Sequence, residues 1–249
     1  MTGNLPFIDL RSDTVTTPGP EMRQAMFQAR VGDDVMGEDP TVTELEAFAA
    51  ELCGKASAVY VPSGTMANQA ALRAWCRNGD EALMTAETHL FYYEGGAAAG
   101  LNGVQLNPVP SVDGIFSVQD FKLGIRPDDD PHFPLTKVFW VENTHNRGGG
   151  KIVPFCLMKE LKELSEKERI PLHIDGARLA NAAVKTGISL REWGTVCDSL
   201  SLCLSKGLGA PVGSVLVGSE SFIERCRRAR KAFGGGMRQA GIIAAAGLY

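Results

Sequence analysis

The chain is built on a succession of short apolar runs, each closed by a small-residue or charged turn and followed by a stretch with helical spacing. Ala58 to Val61, Leu83 to Thr85, Val104 to Val109, Lys137 to Val141, Pro171 to Ile174, Asp198 to Leu204 and Gly213 to Val217 read as strands. Between them, Met66 to Cys76, Phe91 to Ala99, Leu157 to Lys167 and Ala177 to Lys185 read as helices, and Ser219 opens a basic one. Two more helices precede the first strand. One starts at Pro20; the other starts at Pro40 and ends at Gly54, using proline at the first turn and glycine beyond the last. Strands alternating with helices at this spacing predict an α/β fold, a three-layer sandwich with a mostly parallel central sheet. In such sheets the ligand lies beyond the carboxyl ends of the strands. The chemistry is therefore to be sought just after each apolar run.

Composition removes several alternatives. A net charge of −4 over 249 residues leaves no basic footprint for nucleic acid and no polybasic membrane patch. No apolar run has the length of a bilayer span, and the first residues lack the apolar core of a secretory signal. None of the six cysteines form a CxxC pair, and several sit inside apolar runs. They read as buried free thiols in a reducing compartment, so a cytoplasmic enzyme is expected. Arg126 to Pro134, with three prolines and three acids, reads as a surface loop. The final run, Gly241 to Tyr249, is an apolar helix with no cap and no polar segment after it, from which we expect a truncated sequence.

Three segments carry chemistry. In Ser205-Lys206-Gly-Leu-Gly-Ala-Pro-Val-Gly213 a lysine follows an apolar strand and precedes a glycine-rich turn. A lysine there is costly to bury unless paired or used as a nucleophile for carbonyls; the ordinary alternative is a solvated loop residue. The run does not fit GxGxxG, which disfavours a dinucleotide loop. In Asp175-Gly-Ala-Arg178 an acid sits at a strand end with an arginine three residues on. The carboxylate can keep a ring nitrogen protonated and the guanidinium can fork onto an oxyanion; a local ion pair is the alternative. In Pro62-Ser63-Gly64-Thr65 a strand, a small-residue turn and a helix N-terminus make a phosphate seat, or an ordinary helix cap. His89 and His145 each follow a strand; the first can stack on a flat ring, or be an ordinary satisfied core or rim residue, and the second is a candidate acid–base group. No metal-ligand spacing links the four histidines to one another or to the cysteines.

A phosphate turn, a stacking histidine, Asp-x-x-Arg and then a lysine, in this order, is the pattern of aspartate-aminotransferase-like enzymes. Within that class the chain closely resembles the threonine aldolases, from about residue 8 to its end. The resemblance is carried by Asp9-Leu-Arg-Ser-Asp-Thr-Val-Thr16, Val31-Gly-Asp-Asp-Val35, Gly37-Glu-Asp-Pro40, Pro62-Ser-Gly-Thr-Met66, Glu142-Asn-Thr-His-Asn146, Asp175-Gly-Ala-Arg178, Ser205 to Gly213 and Gly234-Gly-Gly-Met-Arg-Gln-Ala-Gly241.

The resemblance implies a pyridoxal 5′-phosphate enzyme that cleaves threonine or allo-threonine to glycine and acetaldehyde. It implies Lys206 as the Schiff-base lysine, Asp175 on the pyridine nitrogen, His89 on the ring face, and Ser63, Gly64 and Thr65 on the phosphate. Arg178 and Ser12 are implied for the substrate carboxylate or ring oxygen, and His145 for the neighbourhood of the β-hydroxyl. Arg238 is implied near the phosphate, in the same or a neighbouring subunit. A homodimer or homotetramer is expected on the same ground. Residues 1–249 then form one cofactor-binding large domain with an N-terminal arm over about 1–20. The small C-terminal domain of the family, with its substrate-clamping arginine, has no counterpart in the sequence. The alternatives are another lyase or a transaminase of the same fold, or an inactive truncated form. The Arg-Ser-Asp-Thr and Glu-Asn-Thr-His runs favour the aldolase.

Overall fold

The computed structural model describes residues 8–249. The first seven residues of the expected arm lie outside that range. A seven-stranded sheet organises the rest, in the order β1 (Ser57–Val61), β9 (Ser214–Gly218), β8 (Ser199–Cys203), β7 (Leu172–Gly176), β6 (Thr136–Glu142), β2 (Glu81–Thr85) and β3 (Gln105–Val109). β9 pairs antiparallel with both its neighbours, and the other pairings are parallel. The mostly parallel sheet expected from the sequence is thus what forms.

Successive residues of a strand point to opposite faces, and both faces here are covered. Phe139 and Val141 of β6 enter one core with Leu45, Leu161 and Trp193, while Val138 and Trp140 enter the other with Leu72 and Phe222. The Gly64–Trp75 and Glu220–Ala232 helices cover the second face. The Pro40–Leu52, Phe155–Glu168 and Gly241–Leu248 helices cover the first, which completes the three layers.

One local reading is corrected. The stretch from Phe91 to Ala99 is not one helix. Gly95 and Gly96 take positive φ and split it into His89–Tyr92 and Ala97–Gly100. A hairpin of β4 (Ser111–Val112) and β5 (Ile115–Phe116) also forms beyond the strands read from periodicity. Its two turn residues, Asp113 and Gly114, both have positive φ, as a two-residue hairpin turn requires.

The last helix lacks a cap of its own and takes one from elsewhere in the chain. The buried Asp39 carboxylate accepts the Thr41 and Val42 amides at the start of its own helix and, at 2.8 Å, the amide of Gly241. A Cβ at 241 would stand 2.6 Å from the Arg30 carbonyl oxygen and from Asp39 Oδ1, so only glycine lets the two helix starts meet. Asp39→Ala removes both caps and is expected to lower stability by about 1–4 kcal/mol, at up to ~2 kcal/mol per cap, read as a reduced Tm in thermal unfolding.

No helix among the described residues is long and apolar enough to cross a membrane.

Candidate active site

A cavity of about 350 Å³ opens at the carboxyl end of the parallel strands. Its walls come from segments far apart in sequence. The turn after β1 brings Ser63, Gly64 and Thr65; the end of β7 brings Asp175; the turn after β8 brings Ser205 and Lys206; and the helix start after β2 brings His89. Arg178 follows β7 on the same rim. Seven of the residues singled out in the sequence therefore meet around one space: Ser63, Gly64, Thr65, His89, Asp175, Arg178 and Lys206.

Local chemistry sets each of them. Ser63 is in extended conformation and its hydroxyl accepts the Met66 amide, which turns the chain from β1 into the helix and leaves the first helical amides facing the cavity end. Ser214 stands opposite: a Cβ added at Gly64 would lie 3.6 Å from Ser214 Oγ. That hydroxyl is buried, lines the cavity and has no hydrogen-bond partner among the described residues. Asp175 accepts the Ala177 amide on Oδ1 (3.1 Å) and the Asn68 side-chain amide on Oδ2 (2.7 Å). No cation among the described residues forms a salt bridge with it. The half-buried Lys206 likewise has no side-chain ion pair among them, and its carbonyl is tied to Thr16 Oγ1 at 2.8 Å.

The site is rich in acids. Burial lifts the Glu142 carboxyl above the usual range, and the Asp175 carboxylate beside it pushes the same way. Glu142 accepts the backbone amides of His89 and Asn146, which pins both loops to the end of β6. Glu94 bonds His89 Nδ1 at 2.9 Å and raises the imidazole's pKa; burial opposes this, and the Asp175, Glu94 and Glu142 charges add to it. Arg178 forks onto Asp13 with contacts of 2.8 and 2.7 Å, and the guanidinium holds the Asp13 carboxyl below its ordinary range.

Three expected residues lie outside the cavity lining. His145 is fully buried, with Nε2 3.2 Å from the Ala86 carbonyl and Nδ1 accepting the Gly148 amide at 3.1 Å. A Cβ on Gly114 would come within 2.2 Å of its ring, so His145 is packed under the β4–β5 turn. Arg238 is largely exposed and pairs with Asp33 at 2.8 Å. Ser12 caps a short 3₁₀ turn through its bond from the Thr14 amide, and lines an adjoining hollow that it shares with Arg178.

The profile of the beta-eliminating lyases matches residues 9–249. The chain is 49% identical over 243 residues to the low specificity L-threonine aldolase of Escherichia coli K12, covering 97% of this chain and 72% of that enzyme. The chain belongs to the beta-eliminating lyase family. Within it, the low-specificity L-threonine aldolase 1 of Arabidopsis thaliana is 43% identical over 97% of this chain and 68% of its own length. Among solved structures, the threonine aldolase of Leishmania major superposes with a TM-score of 0.84 at 19% identity, over 95% of this chain and 70% of that one. A Listeria monocytogenes structure superposes at 0.81 with 24% identity, and this chain spans 65% of its length. These structural likenesses confirm the fold.

Several residues of this family member's site had no role in the sequence reading: Asn68, Glu94, Glu142, Asp13, Thr14 and Ser214. Asn68 carried a signal, since it lies one helical turn after Gly64 on the same face. Glu94 carried none, because the glycine break after it removes any periodicity that could relate it to His89.

Proposed function

We propose that this chain cleaves the Cα–Cβ bond of threonine-class 3-hydroxy amino acids, giving glycine and an aldehyde, with pyridoxal 5′-phosphate as cofactor. The observation that carries the proposal is the meeting of Lys206, Asp175 and the Ser63–Thr65 turn around one cavity, in a chain 49% identical to a named L-threonine aldolase.

The residues present fit that cofactor. The turn amides and the unpartnered Ser214 hydroxyl offer donors to a phosphate. Asp175 is a buried acceptor free of any protein cation among the described residues, which suits a protonated ring nitrogen. Lys206 supplies the only lysine amine on the cavity wall among the described residues. When bound, the cofactor supplies an electron sink for the pair left at Cα.

The chain's own groups then divide the work. Lys206 would hold the cofactor through its amine. Arg178 receives the substrate carboxylate, exchanging one anionic partner for another as Asp13 yields. Ser12, in the hollow that Arg178 shares, supports that end. His89, on the cavity wall, would pack against the ring of the bound cofactor. With Nδ1 committed to Glu94, its Nε2 is the nitrogen that takes the β-hydroxyl proton. Both ring nitrogens of His145 are engaged in backbone contacts, so we assign it to holding the 145–151 loop. Arg238 lies outside this cavity's lining and is assigned to a neighbouring copy in a homo-oligomer. Exposed Phe91, Tyr92 and Tyr93 beside His89 favour such an assembly.

The test is aldehyde release from L-threonine and L-allo-threonine by the chain loaded with cofactor, followed through a coupled alcohol dehydrogenase. Amino-group transfer without aldehyde would overturn the proposal. Because the His89 pKa is raised, its proton-accepting form appears only above the ordinary value of about 6.5. kcat/KM is therefore expected to climb with pH along a limb centred above that value. His89→Asn should remove the limb and cost about 10²–10⁴-fold in kcat.

A further inference from the structure

We infer that Glu94 is a positioning residue for this reaction, joining the ring-stacking His89 to the ring-nitrogen acid Asp175 through Asn68 as one hydrogen-bonded unit. The inference rests on the function proposed above for those two residues. It concerns a carboxylate that does not line the cavity and acts only through its neighbours.

The Glu94 side chain is fully buried. It accepts three hydrogen bonds, from His89 Nδ1 at 2.9 Å, Asn68 Nδ2 at 2.7 Å and Gln69 Nε2 at 2.6 Å. Asn68 Nδ2 spends its second proton on Asp175 Oδ2, also at 2.7 Å. An amide that touches two carboxylates must present its NH₂ group to both, so the orientation of Asn68 is settled by charge. Gln69 is held in turn, since its Oε1 accepts Asn102 Nδ2 at 2.7 Å and Asn102 Oδ1 accepts Arg73 Nε at 2.7 Å. The chain of bonds therefore runs from Asp175 through Asn68 and Gln69 of the Gly64–Trp75 helix to a surface arginine, with Asn68 Oδ1 left without a partner among the described residues. A buried polar network of this kind locks side-chain geometry when complete and is expensive when broken.

The consequence for His89 is specific. Around the imidazole stand Glu94, Glu142 and Asp175, with Lys206 and Arg178 on other walls of the cavity and Tyr93 at its edge. Of the three acids, Glu94 alone has a side-chain hydrogen bond to the ring. It keeps the proton on Nδ1 and leaves Nε2 as the exchanging nitrogen. Without it the ring is free to change tautomer and to turn, and Asn68 has no second anchor from which to steady Asp175. Glu94 precedes Gly95 and Gly96, both at positive φ, and its carbonyl accepts the Ala97 amide at 3.0 Å, so the turn is held by backbone bonds and the Glu94 side chain is left to hold its polar neighbours.

The experiment is a pH titration of the histidine ring ¹⁵N and ¹³Cε1 resonances in the cofactor-free chain, with His89→Asn used to assign His89. Glu94→Gln removes the charge at constant size, and the His89 midpoint is expected to fall by about one unit or more, with loss of the fixed Nδ1–H tautomer. Glu94→Asp should recover much of both. In the loaded enzyme kcat should fall on the order of 10²-fold while KM changes little. A purely structural Glu94 would lower Tm and leave the midpoint where it was; that result overturns the inference. If Glu94→Gln does not fold, the wild-type titration decides: a His89 midpoint at or below the ordinary value of about 6.5 without a fixed Nδ1–H tautomer overturns the inference, and a raised midpoint with the proton held on Nδ1 sustains it. Because the titration needs neither substrate nor cofactor, a moved midpoint in a chain that releases no aldehyde would sink the functional reading and leave this linkage standing.

Discussion

Lys206→Ala is expected to abolish the visible absorbance band that pyridoxal phosphate would give with the wild-type chain under the proposed function, and to reduce aldehyde release by at least about 10⁴-fold. The reason is positional. The turn after β8 is pinned at both ends: Thr16 Oγ1 holds the Lys206 carbonyl at 2.8 Å, and the Ala210 amide donates to the Leu204 carbonyl at 3.0 Å. The amine is thereby delivered to the cavity, and no second lysine lines it among the described residues. Lys206→Arg keeps the charge but not the nucleophile, and should fail equally. Titration with the cofactor, monitored by absorbance, checks both. A band of wild-type intensity in Lys206→Ala would show that the cofactor is held elsewhere.

Asp175→Ala is expected to lower kcat/KM by roughly 10²–10⁴-fold while the cofactor band persists, because Lys206 is still present. The carboxylate is 2% exposed and would face a protonated ring nitrogen in a water-poor site. Deleting one partner of a buried charge pair costs about 3–5 kcal/mol, and each 1.36 kcal/mol is close to tenfold in rate. Asp175→Asn, which keeps the shape and can still accept the Ala177 amide, should lose somewhat less. Steady-state kinetics against L-allo-threonine read the effect. Retention of wild-type kcat/KM in Asp175→Ala would mean that the ring nitrogen is not held by this residue. The two variants separate tethering from electron withdrawal, since the first removes the band and the second leaves it.

Much of this protein was determined locally. Alternating apolar runs and helical stretches dictate the layered α/β fold, because burial periodicity is written over five to ten residues. Ser63 as a cap, the acid at 175 ending β7 and the lysine following β8 are each set by a strand end and the turn next to it. Their meeting at one cavity then follows from the parallel topology, which gathers strand ends on one side. The tertiary structure alone decided which side chains pair. Asn68 finds Asp175 across 107 residues and Arg178 finds Asp13 across 165. His145 is packed under a hairpin turn, and Asp39 caps a helix that begins 202 residues later. Such pairings depend on distance and desolvation at the folded site, and neither quantity is encoded in the spacing of residues along the chain.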